Sequence, residues 1–223
     1  MSDFDAEKFL NEVHYAWGFQ YMIGDVEDFL DFSEANIEWQ YRRELQAIDR
    51  EIRSGGFPDG YKEHLETNAE HRFKVSLPLR IRYAAVVTLA TSVEWSVEYL
   101  IKTLKEPISA VTEQRNKTVH ALFELSSRTS LGRTNVIQDY EALVHVRNCI
   151  AHSAGIEEHY RFRNQLPAAI ARLKGFSLGN QHFLGTHICI ERGALNPYIR
   201  DIGQLVVDLH RATHEGGLWR DGT

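Results

Sequence analysis

Apolar residues recur every three to four positions over most of the chain, which predicts amphipathic helices. A first helix is predicted over residues 5–31, and Ser33 is predicted to cap a second helix that runs to Ile52. Gly55-Gly56, followed by a proline, ends that second helix. The aromatic residues of both helices fall at helical spacing, so they are predicted to belong to the core.

The middle of the chain predicts the central element of a helical bundle. Residues 57–76 form a polar connection with room for a short helix. Pro78 then opens a helix that runs to about Lys105 and is apolar nearly all round, as expected of a helix enclosed by others. A further helix is predicted over residues 110–127, and a polar link leads to the next one.

The last third of the chain changes its pattern. A helix over residues 136–155 is followed by a charged and aromatic segment, 156–166, and Pro167 opens a short helix to Lys174. Residues 175–190 predict a small hairpin with Gly179-Asn180 in its turn. The final helix starts at Asn196-Pro197 and ends at Gly216-Gly217. The fold class predicted is all-α: an antiparallel helical bundle with a small C-terminal β-hairpin insertion.

We predict a single domain over residues 1–223. Its parts are N-terminal helices (1–56), a core (78–155), and the hairpin with the final helix (156–215). No run of about 18 apolar residues is present, which argues against a membrane span, and the acidic N-terminus lacks a signal-peptide pattern. With only two cysteines, a cytoplasmic protein is expected. The net charge of −6 disfavours a nonspecific nucleic-acid coat, although a local basic cleft is compatible with it.

The helix over residues 136–155 carries a polar stripe that packing alone does not require. Glu141, His145, Asn148 and His152 fall within roughly 60° of one another around an ideal helix, opposite a buried apolar face. Arg147 lies roughly 140° from His152, so the two side chains cannot point the same way in one helix. Either the guanidinium curls round the helix, or a second chain completes the pair.

A metal site is not expected on this stripe. His145 and His152 are roughly 10 Å apart along the helix axis, too far to share one ion without bending the helix. No phosphate-binding glycine loop or nucleophile motif appears, so we predict no metal and no cofactor. Glu94, within the apolar central helix, needs a partner. It is either a salt-bridged or solvated edge residue, or a carboxylate that orients Arg147 and His152.

The string Val-Arg147-Asn-Cys-Ile-Ala-His152-Ser-Ala-Gly resembles the Arg-Asn-x3-His signature of the HEPN superfamily. The upstream apolar helix with Ser-Val-Glu94 and the all-helical frame support the resemblance, which extends loosely over residues 78–155. Many members are metal-independent RNases of toxin–antitoxin or phage-defence systems that act as dimers, and some are non-catalytic. One branch has a tyrosine two residues after the histidine. Here that position is Ala154, so adenylylation there is not expected.

The resemblance implies a homodimeric endoribonuclease in which Arg147 and His152 are catalytic and Asn148 assists, with RNA as substrate and an antitoxin or defence protein as possible partner. Glu94 and His145 would support the site. The residue types suit this chemistry, since histidine transfers protons near neutral pH and arginine holds a phosphate. Spacing alone is weak, because Arg115 and His120 share it. The alternatives are a helix-end His152 with a salt-bridged Arg147, and a non-catalytic module that binds a partner protein or nucleotide.

Overall fold

The computed structural model describes residues 6–108, 116–182 and 185–220. Its elements confirm the predicted all-α fold with a small hairpin. The helices and strands are α1 (Ala6–Arg53), α2 (Tyr61–His71), α3 (Leu77–Thr103), α4 (Lys117–Arg128), α5 (Thr134–Ser153), α6 (Leu166–Arg172), β1 (Phe176–His182), β2 (Gly185–Ile190) and α7 (Asn196–Glu215). A π-helical turn, Arg72–Ser76, joins α2 to α3, and a 3-10 turn, Glu157–His159, follows α5.

The chain divides into two compact units. One unit contains the residues up to Val26 and those from Val86 onward, and the other is Glu27–Ala85. Both boundaries fall inside helices, one in α1 and one in α3. The smaller unit has its own core around Ile48, Ala69 and Phe73. The functional residues predicted from the sequence all lie in the larger unit.

Helix α1 is one continuous helix, so the prediction of two helices separated at Ser33 is wrong. Serine at an interior helical position costs only a few tenths of a kcal/mol, and the segment has no proline to break the hydrogen-bond ladder. The predicted end is confirmed. Gly55 and Gly56 follow Arg53 with positive φ angles of 88° and 91°, a conformation that glycine adopts without steric cost.

The aromatic residues of α1 are not uniformly buried as predicted. Tyr21, Phe32 and Trp39 are 68%, 73% and 53% exposed, whereas the aliphatic Val26 and Leu30 are almost fully buried. Helical spacing identifies a stripe of similar residues but not the direction in which the stripe points, because that depends on which other elements cover it.

The polar connection before Pro78 is more helical than predicted. The π-helical turn makes the helix continuous from Tyr61 to Thr103, with Pro78 near the start of its α3 segment. By length and composition alone this helix could cross a membrane, and half of its most apolar window is buried inside the protein. A helix enclosed by a protein core has the same composition, so the composition does not by itself indicate a span.

Helix α5 is the buried centre of the larger unit. It packs against α4, α6 and α7, and Ile137, Tyr140, Val146 and Cys149 on it are fully buried. The Tyr140 hydroxyl donates a hydrogen bond to the carbonyl of Ala90 in α3 at 3.3 Å. Burial raises the pKa of Tyr140 well above its ordinary value. The polar stripe of α5 is therefore carried by a helix that other elements hold in place.

The hairpin is confirmed, but its predicted turn is wrong. Strands β1 and β2 are antiparallel, and Gly179 pairs with His187 inside the ladder. The ladder continues past Gly179 to the pair His182 and Gly185. Glycine followed by asparagine favours a turn, but the pairing of Phe176 with Ile190 places the centre of the hairpin further along the chain.

The remaining predicted helices are confirmed within a few residues. Helix α6 starts one residue before Pro167, and α7 ends immediately before Gly216. Helix α4 covers the second part of the predicted 110–127 helix, while residues 109–115 lie outside the described ranges.

Candidate functional site

The end of α5 is formed by a left-handed turn, as its terminal glycine predicts. Ala154 and Gly155 have φ angles of 52° and 80°, and the Gly155 amide donates to the carbonyl of Cys149 at 3.2 Å. The Gly155 carbonyl in turn accepts a hydrogen bond from the Ile188 amide at 3.0 Å. The hairpin is thereby attached directly to the end of the helix that bears His152.

The polar stripe of α5 lines a cleft with a volume of about 790 Å³. Within the stripe, His152 in the last turn of α5 is exposed, and Asn148, one turn earlier, is partly buried. The stripe inferred from helical spacing is thus brought together on one surface. The residues lining the cleft are Asn116, Glu141, His145, Asn148, His152, Tyr160, Arg161, Phe162 and Gln165.

The second wall of the cleft comprises Tyr160, Arg161, Phe162 and Gln165. The Thr186 amide N–H is shared by the two carboxylate oxygens of Glu158, in the turn just before it, at 3.0 and 3.1 Å, and this attaches the turn to β2. The backbone hydrogen bond from Thr186 lowers the pKa of Glu158. The wall then folds on itself, because the Arg163 amide donates to the Tyr160 carbonyl at 3.1 Å. The hairpin therefore positions the second side of the cleft.

Arg147 points away from this cleft, as its angular separation from His152 predicts. Its guanidinium Nη2 donates to the Oε1 atom of Glu94 in α3, and the two side chains are 20% and 37% exposed. Burial lowers the pKa of Arg147, but a guanidinium remains charged at any physiological pH. Glu94 is thus partnered by Arg147. Arg147 is not among the described residues that line the cleft.

Tyr160 is a nearly buried residue of the cleft. Its ring lines the cleft, and the residue is only 4% exposed. Burial raises the pKa of the Tyr160 hydroxyl, while the Asn148 amide and the Arg147 charge act in the opposite direction. Tyr160 therefore lies near both Arg147 and Asn148.

A second hollow of about 490 Å³ extends the cleft along α5 toward α6. Glu141, His145 and Gln165 line both spaces, so the two form one groove. Burial lowers the pKa of His145, and Glu141 partly offsets this. The buried Nδ1 atom of His145 has no hydrogen-bond partner within the described part of the chain. A neutral His145 in mid-groove suits a supporting role better than phosphate binding.

Metal ligands and cysteine thiols are the other side chains that could carry chemistry. No group of three or more metal-binding side chains occurs among residues 6–108, 116–182 and 185–220. Cys149 is fully buried, and burial raises the pKa of its thiol to about 12, so it is not a reactive thiolate at neutral pH. Arg115, of the second arginine–histidine pair, lies outside the described ranges.

The sequence alone predicts no role for the residues of this second wall. The dense run Tyr160, Arg161, Phe162, Arg163 was the available signal, since aromatic and cationic residues in alternation are typical of ligand-binding surfaces. Its place opposite α5 depends on the hairpin contacts, which sequence spacing does not reveal. No family model, curated protein or solved structure matches this chain.

Proposed function

We propose that this protein is a metal-independent endoribonuclease of the HEPN type that acts in a toxin–antitoxin or phage-defence system. The observation that carries the proposal is an exposed His152, next to Asn148, at a cleft that also contains Arg161. Cleavage of RNA without a metal needs proton transfer at the 2′-hydroxyl and at the leaving 5′-oxygen. It also needs a cation for the phosphorane. Histidine and arginine supply these functions.

His152 is the proton-transfer group in this proposal. It lies in the last turn of α5 and is exposed to solvent at the cleft. Asn148 lies one turn earlier on the same face and orients either the imidazole or the scissile phosphate. Glu141 and His145 line the same cleft, further from the end of α5 than Asn148.

Arg147 contributes from a second copy of the chain in this proposal. Within one chain Glu94 holds Arg147 on the side of α5 away from the cleft. Its buried Nε atom has no hydrogen-bond partner among the described residues, so the guanidinium is not fully committed to Glu94. In a homodimer that pairs the two α5 ends, Arg147 of one chain approaches His152 of its partner.

Growth of cells that express the chain tests the proposal. Induction of the wild-type chain is expected to stop growth because cellular RNA is cleaved, and induction of His152→Ala is expected to leave growth unchanged. His159→Ala is the matched control, since His159 is exposed and lies outside the residues that line the cleft. Equal growth of cells with wild type and His152→Ala, at equal protein levels, would contradict a toxic nuclease.

A non-catalytic module that binds a partner protein or nucleotide is the second candidate. The ion pair between Arg147 and Glu94 favours it, because a structural salt bridge accounts for Arg147 without any chemistry. The groove along α5 would then serve binding only. The two candidates differ in what the loss of Arg147 does to a protein that is still folded.

Removal of Arg147 separates these candidates. Arg147→Ala is expected to lower the free energy of unfolding by about 1–2 kcal/mol, because the ion pair with Glu94 is lost. The loss lies between the values for exposed and buried pairs, since Glu94 regains water on its exposed side. Urea unfolding of Arg147→Ala, Glu94→Gln and the double variant measures their coupling. Arg42→Ala, which breaks an exposed pair with Glu38, is the control and is expected to cost under about 0.5 kcal/mol. Cleavage per folded molecule that is unchanged in Arg147→Ala would assign Arg147 a structural role.

A further inference from the structure

A cation and two aromatic rings form one side of the cleft. The guanidinium carbon of Arg161 lies 5.5 Å from the ring centroid of Phe162. The ring of Phe162 meets the ring of Tyr160 edge-on, with centroids 5.9 Å apart and planes at 81°. Arg161 is exposed and Phe162 is partly buried. We call Arg161 and Phe162, backed by Tyr160, the stacking wall.

Amide side chains line the same cleft. Asn116 comes from the start of α4, Asn148 from α5 and Gln165 from the start of α6. Each amide carries donors and an acceptor, which match the mixed donor and acceptor edge of a nucleobase. The cleft volume of about 790 Å³ falls within the range of sites for small ligands, and a nucleotide fits within it.

The charges of the cleft favour contacts to a base over contacts to a phosphate. Glu141 lines the cleft together with Arg161, so the permanent positive charge there is opposed by a carboxylate. The whole chain carries a net charge of −6, which adds no long-range attraction for a polyanion. Stacking on an aromatic ring and a planar guanidinium does not require a positive field, because every base has a π-face.

We propose that the stacking wall binds an unstacked base of single-stranded RNA, whose edge the cleft amides contact. The inference rests on the proposed function in taking RNA as the ligand. It adds that Arg161 and Phe162 position the strand so that the next phosphate lies near His152. A folded duplex cannot offer a free base face, so single-stranded RNA is the substrate class.

Binding can be measured separately from cleavage with a labelled single-stranded adenine octamer that carries 2′-fluoro in place of 2′-hydroxyl. This RNA lacks the nucleophile, so anisotropy reports binding alone. Phe162→Leu keeps apolar volume but removes the π-face, and it is expected to weaken binding about 5- to 150-fold. Phe57→Leu is the matched control, since Phe57 is 39% exposed and stacks on Tyr61 outside the cleft. Its Kd is expected to equal that of the wild type.

Two further comparisons separate stacking from charge. Arg161→Lys keeps the charge but loses the planar group, so it is expected to weaken binding several-fold. Arg163→Lys is the control, because Arg163 is exposed and does not line the cleft, and it is expected to leave the Kd unchanged. An abasic octamer with the same phosphates is expected to bind at least 10-fold more weakly than the adenine octamer. The salt dependence should correspond to only one or two phosphate contacts, at a slope of about −0.7 for each.

The inference is overturned if the abasic octamer binds as tightly as the adenine octamer, if Phe162→Leu retains the wild-type Kd, or if the wild type does not bind the octamer. The last result would favour a protein partner for the groove. Cleavage of unmodified RNA is measured in parallel. Cleavage that needs His152 but not Phe162 leaves the proposed nuclease intact without the stacking wall. Binding that needs Phe162 in a chain that does not cleave RNA retains the stacking wall and rejects the nuclease.

Discussion

Replacement of His152 by alanine is expected to lower the rate of RNA cleavage by about 10²- to 10⁴-fold, the usual contribution of a general acid or base. The rate of the wild type is expected to be the same in EDTA as without it, because the proposed chemistry uses no metal. His152 is exposed at the end of α5, so its removal should leave the melting temperature within about 1–2 °C of the wild type. The loss of cleavage would then reflect chemistry and not unfolding.

The measurement is the initial rate on a labelled single-stranded RNA, with each variant purified in the same way. His159→Ala serves as control because His159 is an exposed histidine only seven positions away that does not line the cleft. It is expected to keep the wild-type rate. A rate that is the same in wild type and His152→Ala would place the activity elsewhere, for example in a contaminating nuclease.

The free energy of unfolding is expected to fall by about 3 kcal/mol between pH 6.5 and pH 4 because of one buried histidine. His210 in α7 is only 3% exposed, and burial lowers its pKa from 6.5 to about 4, although a hydrogen bond to the Ser96 backbone opposes the shift. In that pH range the unfolded chain binds a proton that the folded chain does not. Stability is therefore complete above pH 6.5 and is lost as the pH falls toward 4.

Urea unfolding at half-unit steps of pH, for wild type and His210→Gln, measures this contribution. Glutamine keeps a polar side chain but does not titrate, so the difference between the two curves isolates the histidine. Above pH 6.5 the difference is expected to be constant, and below it the difference should change by up to about 1.4 kcal/mol per pH unit. His159→Gln, at an exposed position, controls for the loss of any histidine. Parallel curves for wild type and His210→Gln would show that His210 is not buried in its neutral form.

Much of the fold follows from local physical chemistry. The helical period of apolar residues, with glycines and prolines at the ends, is sufficient to predict α5, α6 and α7 within a few residues. Failures occur where a local preference is weak. Ser33 is a good cap but also a tolerable interior residue, and Gly179 followed by asparagine is a good turn that cross-strand pairing overrides.

Some features of the candidate site likewise follow from local periodicity, and others depend on tertiary packing. The period of α5 by itself determines that His145, Asn148 and His152 share a face and that Arg147 does not, since both follow from 100° per residue. Only the tertiary structure decides what meets each face. Glu94 reaches Arg147 across 53 positions in the sequence, and the hairpin brings Tyr160, Arg161 and Phe162 opposite His152. Such contacts depend on how separate elements pack, and no local periodicity encodes that packing.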